Sequence, residues 1–176
     1  MSTKSDDECS STTAGMSPGP ATPTYSTSFF DDKDSLHAVE TSQGIVPWQG
    51  NDLVIRERGS GKVITMGIDG VQLKKIGPMG GWHWKCVEHD GWLGFRNVVS
   101  GRYLGHNNKG GFHALQTHHK GWESFVAKAN PYGGYELLTI HGWKFMKMRV
   151  AKDGLTLEET DGKGALWDFV KYPVTG

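Results

Sequence analysis

The sequence predicts an all-β domain with threefold internal symmetry, and three observations carry that prediction. Apolar residues do not recur at the three-and-four spacing of a helix over any useful length; they alternate in short runs parted by glycine turns. Twelve such runs can be counted, and glycine reaches 25 of 176 residues, which suits frequent tight turns. The runs fall into three sets of four with a period near 42 residues.

The first set reads DLVIRE at 52–57, KVITM at 62–66, VQLKK at 71–75 and WHWKCV at 82–87. LGFRNV at 93–98, RYLG at 102–105, FHALQ at 112–116 and ESFVAK at 123–128 repeat the series. YELLTI at 135–140, KFMKM at 144–148, LTLEE at 155–159 and ALWDFVK at 165–171 complete it. Leu73, Leu115 and Leu157 stand 42 residues apart both times, and Ile64, Leu104 and Met146 are separated by 40 and 42, each two places after a base. Trp84, Phe125 and Phe169 end the sets, 41 and 44 apart. A propeller would have only three blades, below the usual minimum of about four. Helical solenoids need helices. A β-trefoil fits, with six strands closing a barrel and three hairpins capping one end. It predicts repeats at about 52–90, 92–132 and 134–171, and it requires 52–57 to pair with 166–171. The nine aligned residues just named form the expected core, with Trp48 a candidate plug.

Charge marks where the domain begins. The chain is neutral, with 19 bases and 19 acids, yet residues 1–43 hold two bases and seven acids. This Ser/Thr/Pro-rich stretch lacks the apolar area to offset its ordering entropy, so a disordered acidic tail is expected at 1–43 and the trefoil at 44–173. Cys9 and Cys86 give no disulfide framework, and no run is long enough for a membrane helix. The polar N-terminus lacks the pattern of a signal peptide, so a cytoplasmic, monomeric protein without membrane insertion is expected.

The middle repeat is the most regular. Gly101-Arg102-Tyr103-Leu104-Gly105, then Gly111-Phe112-His113-Ala114-Leu115, then Trp122-Glu123-Ser124-Phe125, resembles one repeat of the fascin-like trefoil family. That resemblance implies a non-enzymatic protein-interaction module with actin as partner. Fascins bundle filaments with four tandem trefoils, whereas this chain has one. A carbohydrate-binding trefoil is the alternative, although the Gln-x-Trp pattern of ricin-type trefoils is missing.

No catalytic constellation emerges. Cys86 shares a strand face with Trp84 and reads as a buried thiol. His83, Glu88, His89 and Asp90 cluster in sequence without a nucleophile. His106, His113, His118 and His119, with Glu123, are the nearest approach to a metal set; the adjacent His118 and His119 point to opposite faces, so polar surface histidines are expected, with neither metal nor cofactor. Lys147, Arg149 and Lys171, with Trp92 and Trp143, are the candidate partner-binding residues. Asn107, Asn108 and Lys109 are the candidate sugar contacts. The mild basic charge argues against nucleic acid. Lys62, Arg102 and Lys144 recur with the repeat and read as structural, so Arg102→Ala is expected to destabilise the domain and reversal of Lys147 and Arg149 to leave it unchanged.

Overall fold

The computed structural model describes residues 44–78 and 80–172, so the expected tail lies outside the described residues. Twelve strands follow in chain order: β1 (Asp52–Glu57), β2 (Val63–Gly67), β3 (Gly70–Lys74), β4 (His83–His89), β5 (Trp92–Asn97) and β6 (Tyr103–His106). Then come β7 (Phe112–Gln116), a 3-10 turn at Gly121–Glu123, β8 (Val126–Ala129), β9 (Tyr135–His141), β10 (Lys144–Val150), β11 (Leu157–Thr160) and β12 (Trp167–Lys171). Every expected strand is present, offset by at most three residues at its start.

The barrel closes as threefold symmetry requires. β1 pairs antiparallel with β12, Ile55 opposite Phe169, and on its other side with β4. β4 pairs with β5 along its whole length, and β9 joins β8 to β12. The remaining gap is bridged where Leu93 and Phe125 exchange backbone hydrogen bonds of 3.1 and 2.8 Å. Hairpins β2–β3, β6–β7 and β10–β11 form the cap. They are tied to one another by Leu73 N donating to Leu155 O at 2.7 Å and Glu159 N donating to Gly110 O at 2.7 Å. The fold is a β-trefoil.

Its core holds Leu53, Ile64, Leu73, Trp84, Leu104, Phe125, Leu157 and Phe169, with Phe95 5.4 Å from Phe125 and 5.6 Å from Phe169 between ring centres. Two expected core residues are misplaced. Leu115 is 59% exposed, and Ala114 takes the inward place. The cause is a one-residue register shift in the β6–β7 pair, where Tyr103 faces Gln116 but Gly105 faces His113. Ala114 and Leu115 together oppose Leu104, and such a slip exchanges the two faces of a strand. Met146 is only half-buried; Met148, on the same face and farther from the exposed Trp143 turn, is the fully buried residue of β10. Trp48, 67% exposed, is no plug.

The recurring bases do not share one role either. Lys62 Nζ donates to Gly154 O at 3.2 Å and so links two hairpins. Arg102 is exposed, and among the described residues its side chain has no hydrogen bond or ion pair. A fully buried residue that sequence reading passed over, Asn97, does tie loops together. Its Nδ2 donates to Gly81 O at 2.8 Å and His83 O at 3.2 Å, and its Oδ1 accepts from Ser100 N at 2.9 Å.

Candidate functional site

The turn of the β4–β5 hairpin begins the site. Asp90 has a left-handed backbone, φ 51°, and Gly91 follows at φ 81°. Asp and Gly tolerate this region, and the pair makes the tight hairpin turn. The Asp90 side chain is 84% exposed, with Oδ2 3.2 Å from His89 Nδ1. Next in sequence, Trp92 packs half-buried against Phe145 of β10, ring centres 6.5 Å apart.

The facing wall is the segment 117–124. Its seat depends on two glycines. A Cβ at Gly94 would come within 2.8 Å of the His119 ring, and one at Gly105 within 3.0 Å of Glu123 Oε1 and Trp122 O. Without side chains there, His119 lies against β5 and stacks on Tyr103, ring centres 5.6 Å apart. Burial holds the His119 imidazole below its ordinary pKa, and nearby His89 adds to the shift. Glu123 is buried and accepts from Lys120 N at 3.2 Å, which curls 121–123 into the 3-10 turn where a strand start was expected. That turn leaves Trp122 49% exposed. Between the walls runs an open groove of about 720 Å³, lined by Asp90, Trp92, His119, Trp122, Ser124 and Gly142 among others.

Behind Trp122 sits a second cluster. The Trp122 ring stacks on His106, centres 5.5 Å apart and planes 19° apart. His106, from β6, is 1% exposed. His141 Nδ1, at the end of β9, lies 2.6 Å from Glu159 Oε2, and Thr139 Oγ1 donates to Glu159 Oε1 at 2.5 Å. His106 Nδ1 is 3.2 Å from the same Oε1, but outside hydrogen-bonding geometry, so among the described residues neither ring nitrogen of His106 has a hydrogen-bond partner. The Glu159 side chain is only 2% exposed.

The histidine set considered from sequence does not assemble. His118 is exposed, its Nδ1 within 3.1 Å of Thr117 Oγ1, and His113 is held below its ordinary pKa mainly by burial. The set that does assemble takes one residue from each of three strands. A signal for it existed: each lies an even number of places from a buried neighbour, His106 from Leu104, His141 from Leu137 and Glu159 from Leu157, and strand alternation turns all three inward.

Other candidates fall elsewhere. Lys147 pairs with Glu136 at 2.9 Å, and Arg149 contacts Glu158 Oε1 through Nε and Nη2 at 2.9 and 2.7 Å. Those charges are neutralised locally, while Lys171 is exposed on β12, a strand not adjacent to β10. Asn107 Oδ1 accepts from Lys109 N at 2.9 Å and Gly111 N at 3.0 Å, so it shapes its turn, while Asn108 and Lys109 are exposed beyond it. Trp143 is fully exposed beside Gly142 of the groove. Cys86 is buried, and burial pushes its thiol up to about 11, with Glu88 acting in the same direction.

No protein-family model matches the chain, and no curated protein matches it. Solved structures do. A GlcNAcα1-4Gal-releasing endo-β-galactosidase from Clostridium perfringens superposes with a TM-score of 0.61 at 18% identity, over 70% of this chain and 33% of that one. The chain thus spans about a third of that enzyme's length. SeviL bound to asialo-GM1 saccharide gives 0.59 at 12% identity, over 71% of this chain and 100% of the other. The ricin B-like lectin of Macrolepiota procera in complex with lactose gives 0.56 at 13%, over 72% and 99%. At these identities the likeness establishes the trefoil fold. It also overturns the fascin-like resemblance and the actin-binding module it implied, because these similarities run to a saccharide-bound protein, a lactose-bound lectin and a galactosidase. The middle-repeat residues behind that resemblance serve the scaffold: Gly101 adopts φ 70°, and Leu104 and Phe125 are fully buried.

Proposed function

We propose that the domain is a non-catalytic carbohydrate-binding trefoil and that the groove between the Asp90 turn and the 117–124 segment is its glycan site. The observation that carries this reading is the placement of Trp92 and the 49% exposed Trp122 along one groove with the Asp90 carboxylate at its rim. Indole faces offer flat apolar area to the C–H face of a pyranose. Asp90 accepts from sugar hydroxyls and Lys120 donates, while His119, its Nε2 3.3 Å from Ser124 Oγ and its Nδ1 buried, holds the groove wall in place. Neutral imidazole at His119 suits an uncharged ligand. Similarity to trefoils solved with saccharides supports the ligand class, not the location.

A glycan array followed by calorimetry on the best ligand tests this. Trp122→Ala and, separately, Asp90→Asn are expected to weaken binding about 30-fold, the effect of removing a hot-spot contact of about 2 kcal/mol. Asparagine tolerates the left-handed backbone at 90, so the second variant keeps the turn. Absence of any retained glycan, or binding indifferent to both substitutions, overturns the assignment.

A further inference from the structure

We infer that His106, His141 and Glu159 form a binding site for a divalent transition-metal cation of the zinc type, beneath Trp122 where the middle hairpin meets the third repeat. One donor atom from each residue lies within 4.8 Å of the other two. A tetrahedral ion with nitrogen and oxygen ligands at about 2.0–2.2 Å holds its donors roughly 3.3 Å apart, so side-chain adjustment alone closes the site. Two imidazoles with one carboxylate favour zinc and its neighbours over calcium or magnesium, which prefer oxygen donors.

A second observation points to the ion independently. Among the described residues neither ring nitrogen of His106 has a hydrogen-bond partner, although His106 is 1% exposed. Buried polar groups are normally satisfied, and an imidazole nitrogen bound to metal is satisfied. Glu159 adds a third. Its carboxylate is buried, and among the described residues no lysine or arginine pairs with it. A cation in the cluster offsets the cost of burying that charge. The hydroxyl of Thr139, fully buried and bonded to Oε1, fixes the carboxylate as an outer partner of a metal ligand does. His141, with 38% of its side chain exposed, is the side from which an ion enters and a water completes the coordination. The metal ligands are distinct from the glycan contacts Asp90, Trp92 and Trp122, although the Trp122 ring stacks on His106.

Chelator-stripped full-length protein titrated with zinc chloride, and with cobalt(II) chloride for its absorption spectrum, tests the site. Expected are one equivalent bound per chain, visible bands of four-coordinate cobalt, and a melting temperature raised by the ion. His141→Gln, at a partly exposed position, is expected to remove all three. Thr139→Val keeps side-chain shape and is expected to weaken affinity about 10- to 100-fold. His118→Gln on the surface is expected to leave binding intact. Failure of the stripped protein to take up either metal overturns the proposal, as does uptake by His141→Gln equal to that of the parent while circular dichroism shows both folded.

Discussion

Replacing Lys147 and Arg149 together by glutamate is expected to destabilise the domain, and Arg102→Ala to leave it almost unchanged, the reverse of what the repeat pattern suggests. Arg149 faces Glu158 directly across the β10–β11 pair, and its guanidinium makes two contacts with one carboxylate oxygen, at 2.9 and 2.7 Å. Both side chains are about 40% exposed (43% and 37%), so solvent screening holds this pair to about 0.5–1 kcal/mol. Lys147–Glu136, at 2.9 Å and 30% and 17% exposed, is screened less and contributes about 1 kcal/mol. Reversal removes both attractions and sets glutamate against glutamate, which costs a similar amount again. The sum is about 3–4 kcal/mol, roughly 10–15 °C in melting temperature for a domain of this size. Arg102 has nothing comparable to lose, and its removal is expected to fall within about 0.5 kcal/mol. Urea melts of the two variants beside the parent measure this. Repeating them at about 1 M salt, where the screening length falls to about 3 Å, is expected to narrow the gap. An Arg102→Ala loss as large as that of the double reversal would refute the reasoning.

Asn97→Ala removes three hydrogen bonds of a fully buried side chain, while Gly81 O and His83 O keep their backbone donors Met66 N and Val98 N, so stability is expected to fall by about 2 kcal/mol, read as a shift in urea midpoint; a change below about 0.5 kcal/mol sinks the role given to Asn97. Acidification should also destabilise. His83, His113 and His119 are all held below their ordinary pKa chiefly by burial, so the folded state keeps them neutral while the unfolded chain takes up protons. Their contribution is therefore complete above about pH 6.5 and is lost as pH falls toward the folded values. Melts at about pH 7.5 and about pH 5.5 show the loss, and His119→Gln should lessen it; a domain more stable in acid contradicts it.

Strand alternation and the period of glycine turns carry information about closure, and for that reason β1 and β12, at opposite ends of the domain, could be paired from sequence. The same alternation fails wherever one residue is added to a strand without a marker. Nothing in FHALQ announces that Ala114 and Leu115 share one opposite neighbour, so the larger side chain was assigned to the core and the smaller one occupies it. The charges of β10 mislead for a related reason. Lys147 and Arg149 alternate with Met146 and Met148 as a solvated face should, but their partners, Glu136 and Glu158, lie on the two flanking strands, and only the sheet order brings them within reach. The groove and the buried histidine cluster depend on a third layer of information, the docking of one hairpin on the next. His106, His141 and Glu159 each read as an inward-facing residue on its own strand, and inward-facing ionisable residues in an apolar barrel call for a partner. Which three meet is decided by the hydrogen bond from Glu159 N to Gly110 O, which seats β11 against the turn after His106 and closes the cap. A threefold scaffold repeats its apolar layers because each hairpin must fill the same space. Its chemistry need not repeat, since a group placed at one seam between hairpins has no obligation at the other two, and among the described residues it is the seam between the second and third repeats that brings three metal-ligating side chains together.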